Sequence, residues 1–203
     1  MRKSPRGVFH RRSRSERGQG LVEFALVLPL LMVFLLGVAD FGRVFADGIA
    51  LEAGARDSAE AAAQEYLQLC RKYVSTDPTC ANGLQTADYA SLHALVHQVG
   101  CRESERLTNL VAPGGNCTNP TFALCIHDDN QGDLGCGQEA PAPGGPCYEM
   151  DATWSRTRFG PVGGRPYAEV RVCYRFDPLF TFAFGNFGTV WLQKANTFAV
   201  TNY

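Results

Sequence analysis

Residues 17–41 read RGQGLVEFALVLPLLMVFLLGVADF, and this stretch decides the fold. Residues 21–39 are apolar apart from a single ionisable side chain, Glu23. As a helix rising about 1.5 Å per residue, they span roughly 28 Å. A bilayer's hydrocarbon core is about 30 Å thick, so the run reads as one membrane-spanning helix. Pro29 inside it removes one backbone donor, which membrane helices tolerate.

The flanks orient that span. Residues 1–17 carry seven Lys/Arg against one acid, Glu16. The formal net charge of −1 therefore conceals an acidic remainder. A basic flank before an apolar span places the N-terminus in the cytoplasm and the C-terminal part outside. Nothing aromatic or groove-reading accompanies the charge, so no nucleic-acid partner is expected. The eight cysteines, Cys70, Cys80, Cys101, Cys117, Cys125, Cys136, Cys147 and Cys173, all follow the span. An even count on the exported side points to disulfides in an oxidising compartment, with the pairing left open.

Beyond the span, no proline occurs between Pro29 and Pro78. Phe41, Val44, Phe45, Ile49, Ala53, Ala59, Ala62, Ala63, Tyr66, Leu67 and Cys70 recur near a 3.6-residue period. One helix is expected over residues 21–74, amphipathic in its outer half. A second is expected over 87–99, with Leu92, Leu95, Val96 and Val99 on one face. Residues 112–147 have the Gly, Pro, Asn and Cys content of loops. Period-two alternation predicts strands over 147–156, where Tyr148, Met150, Ala152 and Trp154 alternate, and over 167–176. The Gly/Pro-rich 157–166 joins them as a hairpin link, and a further strand is expected near 189–200, with Lys194 disturbing its alternation. The fold class is α+β: a long N-terminal transmembrane and amphipathic helix packed on a small disulfide-rich antiparallel sheet, one face packed and one wet. The division is a basic leader (1–18), a transmembrane helix (19–41), its extracytoplasmic continuation (42–75) and a Cys-rich α+β domain (76–203).

Residues 17–59, with Gly18, Gln19, Glu23 and Phe24 at their start and DFGR (40–43) and GARDSA (54–59) further on, resemble the TadE-like family, pseudopilins of the tight-adherence (Flp) pilus. The resemblance implies a pilin-like architecture and cleavage after Gly18 by a prepilin peptidase. Gln19 then becomes the N-terminus, with Glu23 fifth and Phe24 next. A cut after Gly20 would leave Glu23 third. The implied partners are the prepilin peptidase, other pilins or pseudopilins, the pilus assembly platform and membrane lipid. The implied place is the bacterial inner membrane, single-pass, or the pilus. The resemblance covers about a fifth of the chain, and the cysteine load lies outside it.

Rival readings stay open at this stage. A single-span anchored periplasmic receptor or adhesin would use the span only as a tether. Gly37-Val38-Ala39 before Asp40 offers a signal-peptidase site that would release a soluble chain. DDNQGD (128–133) with Glu139 has some spacing of a calcium loop, but Asp133 stands where the turn glycine is required, and a solvated acidic turn is the expectation. His93 and His97 share a helix face without the Glu of a zinc-protease motif and are expected at the surface. Cys125-Ile126-His127 is only a fragment of a zinc pattern, so no metal and no cofactor is expected. Leu179, Phe180, Phe182, Phe184 and Phe187 are expected as core, the alternative being an exposed patch that docks a partner or the bilayer. With no GxSxG, no phosphate-binding glycine loop and no HExxH, an enzyme is not expected.

Overall fold

The computed structural model describes residues 16–73, 86–112, 117–128, 132–134, 166–179 and 189–200. Helix α1 (Glu16–Tyr73) runs unbroken for 58 residues, about 87 Å at the usual rise, with Pro29 inside it. Helix α2 (Thr86–Glu103) has Asp88 in its first turn and Arg102 in its last, each favourable to the helix dipole. Strands β1 (Thr121–Asp128), β2 (Gly132–Leu134), β3 (Tyr167–Phe176) and β4 (Val190–Ala199) form an antiparallel sheet in the order β2-β1-β3-β4.

The long helix is two helices in its chemistry. Residues 18–32 are exposed throughout. Further along, burial follows the helical repeat through Asp47, Leu51, Gly54, Ala55, Ser58, Ala59, Ala62, Ala63 and Tyr66. This stripe packs on the sheet face carrying Ala168, Val170, Val172, Tyr174 and Phe176, and on Leu92 and Val96 of α2. Small residues let the helices approach closely. Ser58 Oγ donates to the Val96 carbonyl across the crossing at 3.4 Å. At Gly100 a Cβ would collide with the Phe122 ring, so only glycine fits there.

Five expectations need correction. The outer apolar residues do not share one face: Phe41, Phe45 and Ile49 stay exposed, because residues spaced by four from Phe41 lie off the stripe begun by Asp47 and Leu51. Residues 121–128 and 132–134 are strands, within a region whose composition reads as loop. The sheet's second face is not wet along β3: Tyr167, Glu169, Arg171 and Cys173 are buried there. His93 and His97 are half-buried rather than superficial, with His93 Nε2 3.3 Å from the Phe122 carbonyl oxygen and His97 edge-on to the Phe122 ring. The strand expected at 147–156 and the link at 157–166 lie outside the described residues. So do Phe180, Phe182, Phe184 and Phe187; Leu179 is exposed rather than core.

Candidate functional site

The bare apolar half of α1 ends in a polar collar. Asp40, Arg43 and Asp47 follow at helical spacing on one side of α1. Arg43 Nη1 donates to Asp40 Oδ1 at 3.0 Å, and its guanidinium lies 5.3 Å from the centroid of the Phe176 ring. The Leu179 N–H donates to the same Asp40 oxygen at 3.2 Å. One turn on, the buried Asp47 carboxylate accepts from Tyr174 Oη at 3.2 Å and from Thr108 Oγ1 at 3.4 Å. Tyr174 Oη in turn accepts the Asn109 N–H at 2.8 Å. Three segments, α1, the 104–111 turn and the end of β3, are thereby fixed together where the helix leaves the domain.

Burial is the main cause that pushes the Tyr174 hydroxyl from its ordinary 10 up to about 12, with the nearby Asp47 charge adding to it. The folded form prefers the protonated phenol. This stabilisation is complete below pH 10, the ordinary value, and is lost as pH rises through about 12. Denaturant midpoints measured across that window should fall steeply in the parent chain. In Tyr174→Phe they should fall less, because the group that titrates is gone.

A second buried cluster sits on the other face of the sheet. Glu169 accepts from Arg171 Nε at 2.7 Å and lies 2.9 Å from His127 Nε2. The His127 ring stacks on Tyr167. All four side chains are buried. Lys194, which breaks the β4 alternation, reaches Glu52 of α1 at 3.3 Å.

The predicted site residues fall as follows. Gly18, Gln19, Glu23 and Phe24 lie exposed on α1. No ion pair to Glu23 occurs among the described residues. Cys101 and Cys117 are joined to each other, and Cys70, Cys125 and Cys173 are also disulfide-bonded. Cys80, Cys136 and Cys147 lie outside the described residues, as does Glu139. Asp128 pairs with Gly132 and His127 with Asp133, so the two ends of the acidic segment lie on the paired strands β1 and β2. The Asp47–Tyr174 contact and the Glu169 cluster were not anticipated. Polar Glu169 and Arg171 alternating with apolar residues were the only hint, and alternation alone does not tell a wet face from a covered one.

Fold and site together define an α+β protein in which, among the described residues, one helix is long and apolar enough to cross a membrane, with no residue of its most apolar window buried against them. Residues 18–60 match the family model described as TadE-like protein. The chain thus carries a TadE-like segment, which supports involvement with the tight-adherence pilus. The matched residues comprise the bare half of α1, the collar and the first turns of the docked half. No curated protein and no solved structure matches the chain.

Proposed function

We propose that this chain is a minor pseudopilin that takes part in assembling a tight-adherence pilus. It is non-catalytic, and it acts through packing of its bare helix and through contacts of its outer domain with other pilins. Residues 19–41 lie in the inner membrane, with the leader in the cytoplasm and the domain outside. The observation that carries the reading is the TadE-like match over 18–60, on a helix whose apolar half has no cover among the described residues. Exposed Leu21, Phe24, Leu26, Leu30 and Phe34 require either lipid or other helices around them.

A prepilin peptidase cuts after Gly18 on the cytoplasmic side. The cut removes the leader with its seven basic residues and creates an α-amine at Gln19, four residues before Glu23. The test is mass spectrometry of the membrane-borne protein. The expected N-terminus is Gln19, and a mature chain still starting at Met1 or Arg2 would refute processing. A start at Leu21 would move the cut to Gly20. A start at Asp40 would make the protein a secreted one.

A further inference from the structure

Three metal-binding side chains meet beside α2, at a place the pilus reading does not use. His93, His97 and Cys101 follow at four-residue spacing on one helix face, and Cys117 approaches Cys101 from the chain leading into β1. His97 Nδ1 lies 3.9 Å from Cys101 Sγ. The ligand atoms of His97, Cys101 and Cys117 all lie within 4.8 Å of one another. Both cysteines are buried and His97 is half-buried. The two sulfurs are bonded to each other.

We infer that this disulfide and a bound zinc ion are alternative closures of one loop: once reduced, Cys101 and Cys117 as thiolates, with His97 Nδ1, hold one Zn²⁺. Two thiolates at about 2.3 Å from a tetrahedral ion stand roughly 3.8 Å apart, and an imidazole nitrogen completes a three-ligand set. The Cys117 N–H donates to Cys101 Sγ at 3.1 Å, which holds the two cysteines side by side. His93 Nε2 already faces the Phe122 carbonyl and is not counted, so the fourth position falls to solvent on the half-exposed side of His97. Either closure ties together the ends of the loop that carries Thr108 and Asn109, whose bonds to Asp47 and Tyr174 build the collar.

A phosphine supplies the two electrons. Phosphorus takes the oxygen of one water and becomes the phosphine oxide, and that water's two protons end on the two sulfurs. Zinc binding then displaces both protons to solvent. The experiment uses the full chain in detergent micelles, reduced with a phosphine and given Zn²⁺ alone, then alkylated and mapped by peptide mass spectrometry. Zinc should slow alkylation of Cys101 and Cys117 at least tenfold, leave the other cysteines little changed, and lose most of this effect in His97→Ala and in the larger His97→Gln. Equal protection at all eight cysteines, or protection that survives both His97 substitutions, would overturn it. A reduced chain that loses its far-ultraviolet helix signal, and in which zinc restores neither that signal nor the protection, would also refute it. The oxidised chain should show no zinc-dependent change at this site.

Discussion

Cells carrying Glu23→Ala should insert the protein normally and assemble no tight-adherence pili. Glu23 is the one ionisable group between residues 21 and 39, close to the N-terminal end of the run. Its side chain is exposed, with no ion pair among the described residues, so another molecule is free to supply a compensating charge. A carboxylate in the middle of a bilayer costs about 2.5–3.5 kcal/mol, less near the interface. Alanine removes that cost, and insertion should be as good or better. If the chain is processed as proposed, what alanine cannot do is neutralise a neighbouring subunit's α-amine at Gln19. That pairing would set how far one helix is shifted along the next, and lateral helix packing without it has no fixed register. Membrane extraction and electron microscopy of pili are the two readouts. Normal extraction with no pili supports the pseudopilin role. Unchanged pili would reduce the helix to a tether for a receptor or adhesin.

The apolar half of α1 was legible because a helix able to cross a membrane is recognised by length and polarity, both local in sequence. Strands β3 and β4 were legible for a similar reason, since a period of two survives any tertiary context. Strand β1 carries the same signal in Phe122, Leu124 and Ile126, which are buried, but it is short and lies among glycines, prolines and cysteines that read as loop. The collar was not legible. Asp47 and Tyr174 are 127 residues apart, and nothing local marks either as the other's partner. Yet DFGR and GARDSA, quoted only for their resemblance, turn out to have packing roles. Asp40 and Arg43 seat the end of β3, while Gly54, Ala55, Ser58 and Ala59 are buried on α1, with Gly54 and Ser58 at its crossing with α2. The TadE-like segment therefore encodes the joint between the apolar half of α1 and the domain as well as that half. The outward Phe41, Phe45 and Ile49 show the limit of periodicity: it finds apolar faces but does not say which one its own chain covers.

Glu169→Ala should destabilise the domain by about 3–5 kcal/mol, the usual cost of removing one member of a buried ion pair. The carboxylate is fully buried and serves both Arg171 and His127. Alanine leaves the Arg171 guanidinium inside the protein without that counter-charge, and leaves His127 Nε2 without its oxygen. For a chain of this size the loss corresponds to a fall in melting temperature on the order of 10 °C, followed by near-ultraviolet circular dichroism. A second variant separates the worth of the cluster from the penalty of breaking it. Replacing all three together, His127→Leu with Glu169→Leu and Arg171→Met, removes every charge at once and fills the space with apolar atoms. Because desolvating the three polar groups offsets much of what their contacts contribute, the triple variant should recover most of the lost stability. If the triple variant is as unstable as the single one, the cluster contributes through its geometry, by holding β1 and β3 in register where His127 faces Tyr167 across the pair. In that case Glu169→Gln, which keeps the side-chain shape and one acceptor, should retain more stability than Glu169→Ala.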